Sequence, residues 1–348
     1  MLDESPSRTQ TKMTQVVLRQ QAPVLLVAPH ATAPLLPAQP FVQPDPAVQS
    51  EFAAHVAEWH DAGSAELLEA CGVALGCTTV RSRLPRGLLD LNRGWRGRVE
   101  EQETLFGKGA VDRWVGERLQ PGALADLEKL YRDAMAAIRA AGQGTRGIVE
   151  LHSYGELGST YDQLNGGRPV RRAQVALVDS VPWRTARPVG LAKLIPGDLR
   201  GLPWPLHRQL GDALASAGLQ LGPHPYPSQA PWTLSSRFLA ERWFQWLAAT
   251  GLLPAAAAAR LADLAWSDEQ HPDIDAAITA NGVQVLDGTA DLAQVTLAWD
   301  GRASQLAERF LAETGAFATT VELRLDLIEH ADAAGIAVAK ALAQFLAA

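Results

Sequence analysis

The stretch RGIVELHSYGE, residues 146–156, sets an apolar, partly β-branched run, Gly147 to Leu151, directly against His152, Ser153 and Tyr154. Such a run bounded by glycine reads as an interior strand, and the end of an interior strand is where an open α/β sheet keeps its ligands. The same arrangement occurs earlier in APVLLVAPHATAP, residues 22–34, where the run Val24 to Ala28 closes on Pro29 and His30. Two strands that close on histidine, in a chain with eight histidines, suit a pair that shares a metal.

Working outward, helical patterns begin near Ala47, with Phe52, Val56 and Trp59 at helical spacing, and cover Ala65 to Ala70. VALGCTTV (73–80) reads as a strand, and GLLDLNR (87–93) as a short strand or strand end. GALADLEKLYRDAMAAIRAAG (122–142) is an amphipathic helix with Leu124, Leu127, Leu130, Tyr131, Met135 and Ile138 on its stripe and Gly142 as its stop. AQVALVD (173–179) is another strand, LHRQLGDALASAGL (206–219), RFLAERWFQWLAATG (237–251) and AAAAARLADLAW (255–266) are helices, and the chain ends in a strand, a turn and a closing helix. The proline-rich connection TAPLLPAQPFVQPDP (32–46) is expected to be an exposed loop, and Val181 to Pro205 a Trp/Pro-rich insertion. There is no internal repeat. Strands alternating with helices predict an α/β fold: a mixed, mainly parallel sheet with helices on both faces.

With 348 residues, 47% hydrophobic and 20% charged, the chain is globular, and no run of eighteen apolar residues suggests a membrane span. The polar start, residues 1–15, reads as a disordered lead-in rather than a secretion signal, so residues 16–348 are expected to form one soluble, cytoplasmic domain. Cys71 and Cys77 are too few for a disulfide scaffold or a thiolate zinc site and are expected to be buried thiols. A net charge of −7 argues against a nucleic-acid footprint. The local basic stretch RSRLPRGLLDLNRGWRGR (81–98) is either a solvated loop or a cradle for an anionic small substrate. Oligomeric state has no sequence signal.

Three strand-end segments therefore carry chemistry: His30, the DLNR of Asp90 to Arg93, and His152. A fourth strand, TTVELRLDL (319–327), places Glu322 inside an apolar run. A carboxylate there is costly unless it meets a cation or a metal-bound water; the alternative is a pair with Arg324 or a wet face. A hydrolase with Ser153 as nucleophile is disfavoured, since LHSYG lacks the glycine two residues before the serine that a nucleophile elbow requires.

Read together and in order, LLVAPHATAPLLP, PRGLLDLNRG, IVELHSYGE and TVELRLDL resemble the zinc metallocarboxypeptidase superfamily, and within it the N-formylglutamate amidohydrolase branch. The resemblance implies a phosphorylase/hydrolase-like, zinc-carboxypeptidase-like fold, Zn2+ held by His30 and His152, and Glu322 as catalytic base. The carboxypeptidases place a metal glutamate three residues after the first histidine, and here that position is Ala33. The third ligand then falls in HDAGSAELLEACGVALGC (60–77): Asp61 first, then Glu66, then His60. Arg93 and Asn92 are assigned to a substrate carboxylate, with a local Asp90–Arg93 salt bridge as the rival reading. Tyr226, in GPHPYPSQAPW (222–232) with His224 nearby, and Arg324 are further substrate contacts. Trp183, Trp204 and Trp232 either floor a pocket or pack the core. The implied activity is cleavage of the amide of an N-acyl, above all N-formyl, amino acid. Its rivals are a metallocarboxypeptidase-like peptidase on short peptides and, since H-x-x-E is missing, a non-catalytic binding module on the same scaffold. In the enzymatic readings the partner is a small molecule or short peptide bearing a carboxylate.

Overall fold

The apolar run Val24 to Ala28 is buried on both sides, and its alternation sets the layers. Val24, Leu26 and Ala28 enter one core, Leu25 and Val27 the other. The computed structural model describes residues 14–17, 21–31, 40–95, 109–158, 171–178, 194–197, 199–223, 233–267 and 303–348.

Among these residues one sheet contains β1 (Thr14–Val17), β2 (Ala22–Ala28), β3 (Cys77–Ser82), β4 (Gly147–Tyr154), β5 (Val175–Val178), β6 (Leu221–Gly222) and β7 (Phe317–Arg324). Their spatial order is β1-β3-β2-β4-β7-β5-β6. β3, β2, β4 and β7 run parallel, β1 and β5 join their neighbours β3 and β7 antiparallel, and β5 pairs parallel with β6. The sheet is thus mixed and mainly parallel, as predicted, and the last strand inserts at its centre.

The helices in chain order are α1 (Pro46–Glu58), α2 (Ser64–Leu75), the short α3 (Arg113–Gly116), α4 (Ala123–Ala141), α5 (Trp204–Ser216), α6 (Leu234–Ala249), α7 (Ala255–Ser267), α8 (Ala303–Thr314) and α9 (Ala331–Ala347). A 3-10 segment, Leu325–His330, links β7 to α9. Helices α2, α5 and α9 cover the face of Val24, Val149 and Val321, while α1, α4, α6, α7 and α8 cover the face of Leu25, Ile148 and Ala318. Each fully buried aliphatic side chain contributes about 1.5–3 kcal/mol relative to exposure, so the double-sided strands hold the layers together. The predicted cover on both faces is present.

Several expectations shift. Thr14 and Gln15, placed in the lead-in by their polarity, begin β1 and pair with Ser82 and Arg81. VALGCTTV divides, Val73 to Leu75 closing α2 and Gly76 capping it at φ +67° before β3 begins at Cys77. GLLDLNR is a series of turns rather than a strand, with the backbone N–H groups of Leu88 and Leu89 both donating to Pro85 O. Leu88 and Leu89 are both buried, so the segment lacks the alternation of a strand. Leu124 is 51% exposed, the stripe of α4 running instead through Leu127, Tyr131, Ala134, Met135 and Ile138. Helix α8 was not among the predicted elements. In the proline-rich connection Val42 is buried and bridges to Leu119. Residues 1–13 and 32–39 and most of the 181–205 insertion lie outside the described residues.

The chain leaves β2 toward β3 on one side and leaves β4 toward β7 and β5 on the other. The crevice at the carboxyl ends of β2 and β4 is therefore the switch point at which open α/β sheets bind ligands. His30 follows β2 by two residues and His152 lies in β4.

Candidate metal centre

Period-two geometry assigns the site to one face of the sheet. In β4, Ile148, Glu150 and His152 share a face, and Glu322, opposite His152 in the β4–β7 register, lies on the face of Ala318. The register Val27↔Glu150 brings the chain beyond β2 alongside His152. Asp61 arrives from the turn between α1 and α2. That turn is tied by Ser64, whose N–H and Oγ donate to Asp61 O at 3.2 and 2.7 Å. Gly63 makes the turn possible: it sits at φ +82°, and a Cβ there would stand 2.7 Å from Ile328 Cγ1.

His30, Asp61 and His152 converge and are all buried. His30 Nδ1 lies 3.1 Å from Asp61 Oδ2 and 3.1 Å from His152 Nδ1, and His152 Nδ1 lies 2.9 Å from the same Oδ2. On the far side of each ring is another carboxylate: His30 Nε2 donates to Asp90 Oδ1 at 2.7 Å, and His152 Nε2 to Glu150 Oε2 at 3.4 Å. A carboxylate accepts, so each Nε2 carries its hydrogen and each Nδ1 turns a lone pair inward. Three acceptors then face one point, which requires a proton or a metal cation between them. Tetrahedral bonds of about 2.0–2.1 Å would set such donors about 3.3 Å apart, close to the separations observed. The donor set fits zinc.

The charges follow. Burial alone would raise the Asp61 carboxyl, but the charges of His30 and Arg86 and hydrogen bonds from His152 and His30 hold it far below the usual carboxylate range. Burial likewise opposes ionisation of Asp90, and His30, Arg86 and Arg93 overcome it and hold it well below its ordinary value. For His152 burial disfavours the cation, yet hydrogen bonds to Asp61 and Glu150 and the charges of Glu322 and Asp61 push it up to about 10. Glu322 goes the other way. Burial first, with the charge of Asp61, raises it to about 7 against the pull of His152, Arg86 and Arg172.

Two residues of this site were not singled out by the sequence. Arg86 donates from Nη1 to Asp61 Oδ1 and from Nε to Asp90 Oδ2, both at 3.2 Å, and lies 5.5 Å from the Trp59 ring centroid. Glu150, fully buried, accepts from Ser235 N–H at 2.6 Å and from Ser235 Oγ. Its sequence signal was the one that marked Glu322, an acid within an apolar strand.

The remaining candidates divide. Glu66 is exposed on α2 and His60 is half-buried outside the His30–His152 cluster, so Asp61 is the acid brought to the histidines. Arg93 Nε stands 3.8 Å from Asp90 Oδ2, so the local ion pair is present but looser than that of Arg86. Arg93 also lines, with Arg86, Asp90, His55 and Trp59, a cavity of about 30 Å³. Asn92 is turned to a structural task, its Oδ1 accepting the Leu234 N–H at 3.0 Å. Arg324 is spent within the protein: it donates to both oxygens of Asp326, at 2.6 and 3.1 Å, and to Arg172 O at 2.7 Å, so its fork is not presented to a ligand. Ser153 Oγ is buried with no hydrogen-bond partner among the described residues, on the strand face opposite His152. Tyr154 donates to Ala173 O. Trp204 is 62% exposed at the start of α5, where it stacks on His207. Tyr226, His224, Trp183 and Trp232 lie outside the described residues.

No protein-family model matches the chain, and no curated protein matches it in sequence. Among solved structures, an N-formylglutamate amidohydrolase from Ralstonia eutropha JMP134 aligns over 97% of this chain and 98% of its own, with a TM-score of 0.52 and 13% identity. The chain shares that enzyme's fold. A gene product from Agrobacterium tumefaciens aligns over 97% and 95%, at 16% identity and a TM-score of 0.45. At such identities the likeness concerns the fold alone. Among the described residues no helix is long and apolar enough to cross a membrane.

Proposed function

We propose that this chain is a zinc-dependent amidohydrolase that cleaves the amide of an N-acyl amino acid, with N-formyl amino acids such as N-formylglutamate the leading substrates. The observation that carries the reading is the convergence of His30 Nδ1, His152 Nδ1 and Asp61 Oδ2, each imidazole backed by a carboxylate, beside a glutamate whose pKa is raised to about 7. His30, Asp61 and His152 would hold the ion. Held there, zinc would supply Lewis acidity and would lower the pKa of a water to about 7. Glu322, partly exposed and opposite His152 in the β4–β7 register, would take the proton of the attacking water and return it to the leaving nitrogen as the carbon–nitrogen bond breaks. Arg93, at the cavity beside Asp90, receives the substrate carboxylate through its planar fork.

The test is metal analysis of protein purified without added zinc, joined to a panel of N-formyl and N-acetyl amino acids and dipeptides assayed for released amine. About one zinc per chain with turnover of the N-formyl compounds supports the proposal. Preferential release from dipeptides moves it to a peptidase, and absence of both metal uptake and turnover sinks it in favour of a binding module.

A further inference from the structure

The N-terminus of α6 meets the candidate metal centre from behind. The first N–H groups of a helix have no partner within it and carry partial positive charge. Here Leu234 N–H donates to Asn92 Oδ1, Ser235 N–H to Glu150 Oε1, and Ser236 N–H to Thr233 Oγ1. Ser235 Oγ adds a second bond to Glu150 Oε1, which leaves Oε2 directed at His152 Nε2. Glu150 is thereby held on one oxygen by the helix end and offers the other to the imidazole, in full burial. Packing does not require a carboxylate at this position: Ile148, two residues earlier on the same strand face, is aliphatic.

We propose that Glu150, anchored by Ser235 at the start of α6, is a positioning residue that fixes the tautomer and orientation of His152 and so sets the affinity of the centre for metal. The inference rests on the zinc reading above. An outer carboxylate on a ligand histidine holds the ring and raises its basicity, and losing one typically weakens metal binding 10–100-fold.

The experiment measures zinc dissociation constants for the full chain by chelator competition, with the visible spectrum of the cobalt-substituted protein as a second readout. Glu150→Gln keeps an acceptor for Ser235 but removes the charge, and is expected to bind zinc about 10–100-fold more weakly with a shifted cobalt band. Ser235→Ala is expected to weaken binding in the same direction. Ser236→Ala is the control, since Ser236 is equally buried in the same helical turn and its Oγ bonds to Thr233 rather than Glu150; its zinc affinity should equal wild type. Wild-type affinity and spectrum in both Glu150→Gln and Ser235→Ala, or equal weakening by Ser236→Ala, would overturn the inference while leaving the zinc reading intact. If Glu150→Gln does not fold, the two serine variants decide alone. A wild-type chain that binds no zinc defeats the metal reading itself and this inference with it.

Discussion

A histidine at the close of an apolar strand is an ordinary structural residue until a second one faces it. His30 and His152 were legible because each interrupts a run whose neighbours are buried, and Glu322 because an acid between Val321 and Leu323 needs a reason to be there. Glu150 carried the same signal within the same quoted stretch but stands two residues from His152, where period two places both on one face. Arg86 was hidden for another reason: a basic loop reads as solvated, and its partner Asp61 lies 25 residues earlier. Arg324 misled because residue type says what a fork can bind, not that Asp326 already fills it. Three outcomes test the residue assignments. Replacing His30 or His152 with alanine should abolish stoichiometric zinc while circular dichroism stays that of the folded chain; retention of zinc by both variants would remove the metal centre. Glu322→Gln should keep its zinc and lose about 100 to 10,000-fold in turnover, the range for a positioned proton-transfer group. In the metal-free chain burial and the charge of Asp61 raise Glu322 to about 7; a cation bound beside it would favour the carboxylate and pull that value down, so wild-type turnover should climb with pH on the acid side of 7 before any later fall. A profile with no rise anywhere on the acid side of 7 would shift the base role to another acid.

At the scale of elements, periodicity found the interior strands and most helices, and missed where burial does not alternate. GLLDLNR is apolar enough for a strand, yet Pro85 starts a turn, and the consecutive burial of Leu88 and Leu89 follows from turn geometry. The polar composition that suggested a disordered start conceals an edge strand, which needs only one partner, here β3, and leaves none of Thr14 to Val17 fully buried. The turn from α1 to α2 shows how an element end serves the site. Both Gly63 at α2 and Gly122 at α4 are left-handed N-caps, with φ of 82° and 84°, but a Cβ at Gly122 meets nothing within 4 Å whereas one at Gly63 stands 2.7 Å from Ile328. Gly122→Ala should therefore cost only the backbone strain, about 1–2 kcal/mol, and leave zinc affinity unchanged. Gly63→Ala should cost more and weaken zinc binding as well, because the displaced turn carries Asp61 two residues away. Chemical denaturation and zinc titration of the pair decide this; equal costs with equal zinc affinity would show that the turn does not govern the ligand.

At the scale of the molecule, alternation of strands and helices implied a mainly parallel sheet, but the insertion of β7 between β4 and β5 is a long-range pairing that no local pattern encodes. That insertion seats Glu322 opposite His152 and so gathers the charges of the candidate centre. Without metal, His152 takes a proton in place of the cation. Its folded pKa, about 10, exceeds its ordinary 6.5, so the stability it contributes is complete below about pH 6.5 and is lost as pH rises toward 10. Glu322, raised from 4.5 to about 7, adds a loss of the same sign between those values. If zinc binds between His30, Asp61 and His152 as proposed, it would displace the His152 proton, so binding would release protons and tighten as pH rises. A ligand present at 100 times its dissociation constant stabilises the folded chain by about 2.7 kcal/mol. At one fixed free-zinc concentration the rise in melting temperature should therefore be larger at pH 8.5 than at pH 6.5, while the metal-free chain melts lower at pH 8.5. Titration calorimetry in buffers of different ionisation enthalpy should record the released protons directly. A zinc-induced shift that stays constant or shrinks with pH, with no proton release, would mean that zinc binds elsewhere than between His30, Asp61 and His152.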